Sequence, residues 1–278
     1  MRHLDRGPPA VLRERVSHGR GGLQLLRHSQ ASTAQLWAER TPEDFIFNVK
    51  AFRLFTGHQT QPKVLHTDLR EALPAALKEK KHLYYKDMPA PIVDELWRRF
   101  KESLRPLASA GKLGAVHFQF APWIINNRDG QAHVQECVER MGEQLVAVEF
   151  RNKTWLDEVH RAQTLEFERD LGVAHVIVDS PTETSNSVDR VWDITSTRLA
   201  LVRLHGRNQG TWNIKGDAAS DRFNYDYSAE ELAALVPSIK HLAARADRVQ
   251  VVFNNNNEDQ GQRNAQMLIQ LLSEEGAL

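Results

Sequence analysis

The chain has 278 residues, 41% of them apolar, enough for an extended core, which excludes fibres, peptides and disulfide-stapled miniproteins. Its 36 Lys+Arg balance 36 Asp+Glu, so no overall field draws it towards polyphosphate or anionic lipid, and dedicated DNA packaging is not expected, although a local basic patch stays open. No apolar run approaches the ~18 residues of a membrane span, Cys137 alone permits neither an internal disulfide nor a cysteine-based zinc site, and the front carries arginines without an apolar signal core, so the expected setting is the cytoplasm.

In chain order, residues 1–30 stand apart: they contain no aromatic side chain, and six arginines face two acids. Beyond them, short apolar runs alternate with stretches of helical periodicity, the pattern of βα units around a parallel sheet. Residues 45–51 (FIFNVKA) predict a strand, followed by amphipathic helices over 65–81 and 91–110. A second strand over 113–120 (LGAVHFQF) precedes a helix over 131–144, and a third over 145–152 (LVAVEFRN) precedes a helix over 156–171. Residues 174–180 (AHVIVDS) form the fourth strand, and the polar, turn-rich stretch 180–193 that follows predicts a loop. Strands over 199–206 (LALVRLHG) and 249–254 (VQVVFN) flank a helix over 228–246, and a last helix spans 261–275. Ser228 with Glu231 three residues on reads as a capping box and fixes that helix start. No Gly/Ser or Pro-rich linker divides residues 31–278, so they are expected to form one domain.

Six parallel strands fit either an open doubly wound sheet or most of an eight-stranded barrel. With the strand period of two, one parity carries Asn48 and Lys50, His117 and Gln119, Glu149 and Arg151, Asp179, Arg203 and His205, and Asn254. The other parity is nearly all apolar, including Val49, Phe118, Val148, Val176, Val178 and Val202. An open sheet buries both sets under helices, whereas a barrel turns the polar set inward, at the strand C-termini where barrel enzymes assemble their sites. The expected fold is therefore α/β, a TIM-barrel-like array of parallel strands.

FNVKAFRLFTGH, LGAVHFQFAPW, VAVEFRNKTW, VRLHGRN and VFNNN, in this order and spacing, resemble the YecE-like family, known as domain of unknown function 72. The resemblance runs from about Ala31 to the C-terminus and implies a TIM-barrel-like fold, without implying a substrate. It marks Lys50, His58, Gln119, Glu149, Arg151, Trp155, His205, Gly206, Asn254 and Asn255 as matching the family pattern. Family members begin with strands resembling GTSGW and VEVNSTFY, and residues 1–30 contain neither. Displacing the reading frame by one nucleotide lets codons for residues 19–30 (GRGGLQLLRHSQ) read VEVDSSYYGIP, a family-like second strand. The first two barrel strands are thus expected to be missing, with residues 1–30 an atypical segment.

Chemistry is expected at the polar strand ends. Glu149 and Arg151 point the same way and offer an acid/base or substrate-orienting carboxylate beside a fixed cation, with a structural ion pair as the plainer alternative. His205 is its expected proton-carrying partner. Lys50, Arg151 and Arg203 form the expected clamp for a small, anionic substrate, with Gln119, Asp179, Asn254 and Asn255 as further ligands. Glu149, Asp179, His117 and His205 could in principle meet at a metal, but no short ligand spacing supports this, so no metal is assigned and the cofactor is left open. Trp123, Trp155, Trp192 and Trp212 could form a stacking rim, although packing is the commoner role, and the basic run Arg98, Arg99, Lys101 reads as a solvated helix face. The expected function is an enzyme doing acid/base chemistry. The alternatives are a nucleotide or single-stranded nucleic-acid binding module, with nucleic acid not favoured, and an inactive truncated relative.

Overall fold

The computed structural model describes residues 30–181, 188–212, 224–255 and 257–276, and these fall into two compact units, 30–148 and 149–276. The expectation about the leading strands concerns residues 1–30 and, but for Gln30, lies outside the described residues. All six predicted strands are present: β1 (Phe47–Lys50), β2 (Leu113–Gln119), β3 (Val146–Glu149), β4 (Ala174–Asp179), β5 (Ala200–Leu204) and β6 (Val249–Phe253). The ladders β1·β2, β4·β5 and β5·β6 are parallel, so the fold is α/β.

In the first unit, helix α1 (Gln30–Glu39), which the periodicity did not single out, packs on helix α2 (Ala90–Ser109). The buried Lys112 fixes its end, donating from Nζ to the carbonyl of Ala38, one of those a helix C-terminus leaves without partners, and to that of Thr41 just beyond it. The helix expected over 65–81 is instead two short ones, Thr67–Glu71 and Ala75–Lys78. Pro74, at ψ 144°, breaks it, because proline removes a donor and disfavours helical geometry in the residue before it. Pairing of β1 with β2 slips by one residue between Phe47 and Val49, and the Ala115 N–H left over at this bulge donates to Asn48 Oδ1 at 2.9 Å. One face of β2 carries Phe118 against Trp97 of α2, which stacks in turn on Phe55 with ring centroids 3.8 Å apart. Helix α3 (Arg128–Met141) starts at Asn127, whose side chain accepts from Gly130 N.

The second unit contains β4, β5 and β6 side by side, helix α4 (Arg161–Asp170) before β4, helices α5 (Ala229–Ala233) and α6 (Val236–Ala243), and helix α7 (Gln260–Glu274) after β6. The predicted helix over 228–246 is divided because Pro237 has no N–H to donate to the carbonyl four residues back. The capping box stands: Ser228 accepts from Glu231 N, and the Glu231 side chain accepts from Ser228 N. Ile177, Ala200, Val202 and Leu204 bury one strand face against Leu232, Leu235, Ile239, Leu242 and Leu268.

That core corrects the parity reading of β4. Val178 lies beside Arg203, and Asp179 lies beside Leu204. Side chains paired across a parallel ladder share a face, so Val176 and Val178 accompany Arg203, while His175, Ile177 and Asp179 face the helices. Both faces of β4 are buried, and its polar residues therefore do not mark the same side as those of β5.

Candidate functional site

Arg203 lies in β5, His205 follows two residues on, and Asn254 follows β6 on the same face, because Arg203 pairs with Val252 and Asn254 N continues the ladder to Leu204 O at 2.7 Å. Glu149, at the end of β3, has no exposed surface. Its Oε1 accepts from Arg151 Nη1 at 3.0 Å, its Oε2 accepts from Arg203 Nη1, and His205 Nε2 stands 3.4 Å from Oε1. Arg203 Nη2 also donates to Asn254 Oδ1 at 3.0 Å, and Asn254 Nδ2 lies 3.2 Å from His205 Nδ1. The two guanidinium side chains retain 12% and 10% of their surface, against none for the carboxylate, so the cations form the reachable edge.

Burial, reinforced by the charge of Arg203, pushes His205 down to about 3, although Glu149 opposes this. The imidazole is accordingly neutral at physiological pH. Burial likewise lowers Arg151 from its ordinary value, with Glu149 pulling it back up. One carboxylate thus stands between two guanidiniums, beside a neutral proton carrier.

Asp179 belongs to a second cluster. Its carboxylate accepts from Tyr227 OH at 2.7 Å, from Arg207 Nε at 2.9 Å and from Arg190 Nη1. Arg207 also reaches Glu231 Oε1 at 3.1 Å, and Tyr227 OH accepts from Gly206 N at 2.9 Å. Gly206 itself sits at φ +86°, where a Cβ would come 2.5 Å from Tyr225 Cβ. Burial and the Asp179 carboxylate raise the Tyr227 phenol well above its ordinary value, so it stays protonated and bridges the Gly206 turn to β4. This cluster ties down the backbone beside His205 and does not join the Glu149 site, contrary to the reading of Asp179 as a ligand beside Arg203. Asn255 also turns away: it is fully buried, and its Nδ2 donates to Tyr225 O at 2.8 Å and Asn264 Oδ1 at 2.7 Å. Tyr227, Arg207 and Arg190 escaped the sequence reading because their partners lie at least 11 residues away.

In the first unit, Lys50 and His117 sit side by side across the β1·β2 ladder, and Lys50 Nζ donates to Gln119 Oε1 at 2.9 Å. His58 Nδ1 lies 2.9 Å from Thr56 Oγ1, beside the ring of Trp123. Among the tryptophans proposed as a rim, Trp123 is 50% exposed. Trp155 is buried and stacked on Phe150 at 4.0 Å, and Trp192 packs against the helix-facing core, so these two are packing residues. The Trp212 side chain lies outside the described residues. Arg98 and Arg99 pair with Glu95, as expected of a solvated face. Among the described residues, no three His, Cys, Asp or Glu side chains converge as metal ligands would, and no helix is long and apolar enough to cross a membrane.

The chain is 32% identical over 246 residues to the UPF0759 protein YunF of Bacillus subtilis (strain 168), which spans 87% of this chain and 78% of YunF. Among solved structures, a DUF72 family protein of Enterococcus faecalis V583 matches with a TM-score of 0.71 at 25% identity, covering 87% of this chain and 80% of its own. A DUF72 family protein of Thermotoga maritima MSB8 matches with a TM-score of 0.64 at 26% identity, covering 90% and 82%. The family described as "Protein of unknown function DUF72" matches residues 27–278, a span that takes in every described residue, and the chain belongs to that family.

Proposed function

We propose that Glu149, Arg151, Arg203, His205 and Asn254 bind a small, anionic substrate and carry out acid/base chemistry on it. The supporting observation is the buried carboxylate shared by two guanidiniums that form its reachable edge, beside a neutral histidine. Two guanidiniums at the reachable edge of a buried site are groups suited to recognising a carboxylate or phosphate. The anion in turn offsets the cationic field that helps hold His205 unprotonated, so binding itself raises the proton affinity of the imidazole. His205 then takes a proton from the substrate, Glu149 faces the resulting imidazolium, and Arg151 and Arg203 hold the negative charge left behind. With this reading goes the barrel-like closure that the family resemblance implies. Binding without turnover is the rival, and the exposed Trp123 gives it a surface on which a base could stack.

The test is a screen of phosphorylated and carboxylated metabolites, with binding read by thermal shift and turnover by NMR. His205→Gln should abolish turnover and retain binding, whereas Arg151→Ala should weaken binding. Turnover that survives His205→Gln would overturn the acid/base assignment. Binding without turnover across the whole screen would replace it with the binding module.

A further inference from the structure

We infer that Arg53 anchors a second oxyanion site, which takes a carboxylate or a phosphoryl group at the turn leaving the carboxyl end of β1. The site lies in the first unit and stands apart from Glu149, Arg151, Arg203, His205 and Asn254, so it does not depend on the chemistry proposed for them.

The turn is fixed by its own hydrogen bonds. Phe55 N donates to Phe52 O at 2.9 Å, Gly57 N donates to Leu54 O at 3.1 Å, and Arg53 O accepts from His58 N at 3.0 Å and from Thr56 Oγ1 at 3.1 Å. Thr56 O accepts from Ala121 N at 2.9 Å, which pins the turn beside the end of β2. Phe52, Leu54 and Phe55, on either side of Arg53, are buried. The arginine is therefore carried on a backbone held from both directions, and a donor fixed in advance loses less freedom when it takes a ligand. The carboxyl ends of parallel strands are also where α/β proteins receive their ligands.

The side chain lacks what the backbone has. Arg53 is half-buried, and its Nε is sealed from solvent without a hydrogen-bond partner. Among the described residues, its guanidinium makes no hydrogen bond, ion pair or ring contact. Burial lowers its proton affinity from the ordinary value, and no carboxylate pulls it back. Arg140 and Arg207 show the difference: burial works against their charge too, but Asp94 and Glu136 outweigh it for the first, Asp179 and Glu231 for the second, and both are raised.

A sheltered cation without a counter-charge costs stability, and local conflicts of this kind gather where function has claimed a residue. The terminal nitrogens Nη1 and Nη2 are not sealed. They present paired N–H donors in the fork that matches two oxygens of a carboxylate or phosphate, so an anion seated there supplies the missing charge.

The test uses the whole protein carrying ¹⁵N-labelled arginine, titrated at pH 7.5 with sodium phosphate and separately with sodium acetate, against sodium chloride of equal ionic strength. The Arg53 Nε–H signal, assigned by its loss in Arg53→Lys, should shift saturably with an oxyanion and not with chloride, and the oxyanion bound more tightly names the ligand class. The shift should persist in Arg151→Ala. In chloride, Arg53→Met should melt no lower than wild type, because it removes a charge without breaking a pair. A wild-type Arg53 signal that responds to neither oxyanion overturns the proposal even if Arg53→Met does not fold. So does a shift that disappears in Arg151→Ala, which would trace it to the other site, or a folded Arg53→Met whose midpoint falls by more than about 2 °C, the mark of a lost contact.

Discussion

Replacing Glu149 by Gln preserves the shape of the side chain and removes its charge, and the surrounding atoms set the expected cost. The carboxylate oxygens receive Arg151, Arg203 and His205, and none of its surface is exposed. An amide supplies one acceptor and one donor, so its NH₂ must face a guanidinium or His205 Nε2, and the two arginines lose their counter-charge. Breaking a buried ion pair from one side costs about 3–5 kcal/mol. At about 2–4 °C per kcal/mol for a protein of this size class, calorimetry should show the midpoint of Glu149→Gln falling by roughly 6–20 °C. The double variant Glu149→Gln/Arg203→Met should recover part of that loss, because it removes one of the two cations that Glu149 faces. A single variant that melts within about 1 °C of wild type would refute the reasoning, since Glu149 would then not be the counter-ion of both guanidiniums.

The pH dependence of stability should carry a contribution from His205. Its folded value of about 3 lies below the ordinary 6.5, so between them the unfolded chain binds a proton that the folded one does not. The stabilisation is complete above 6.5 and is lost as pH falls towards 3, with a slope of at most about 1.4 kcal/mol per pH unit. Denaturant midpoints should therefore fall less steeply with acid in His205→Gln than in wild type, and parallel curves would contradict the assignment. Trp155→Ala should cost about 3–5 kcal/mol by emptying a packed site, whereas Trp123→Ala should cost under about 1 kcal/mol; equal losses would show that the division into core and rim is wrong. Gly206→Ala forces a side chain into left-handed geometry against Tyr225 and should destabilise by about 1–3 kcal/mol, measured by denaturant unfolding.

How much was legible in the sequence depended on whether a residue's partners lay along the chain or across it. The strands could be located because apolar runs bounded by turns are local signals, and β2 matches its predicted start and ends one residue early. The Ser228–Glu231 cap was equally local. The helices over 65–81 and 228–246 were overextended because apolar periodicity continues through Pro74 and Pro237, where the backbone cannot. Glu149, Arg151, Arg203, His205 and Asn254 were recognisable from strand parity at the ends of β3, β5 and β6. Parity failed at β4 because both faces are covered, and Asp179 and His175 each find a partner on the helix side, Tyr227 and Glu168 respectively. Only the register Val178 to Arg203 decides which way that strand faces. Asn255 failed for a related reason: its sequence context matches that of Asn254, but the next position along the chain turns its side chain into the core.

The central claim is that a buried cluster receives an anion at Arg151 and Arg203. Calorimetric titration of the metabolite that gives the largest thermal shift, against wild type and Arg151→Ala in parallel, tests it most directly. The account predicts saturable binding to wild type, weakened at least tenfold in the variant, about 1.4 kcal/mol, and weakened by added salt. Equal affinity in the two proteins would contradict it.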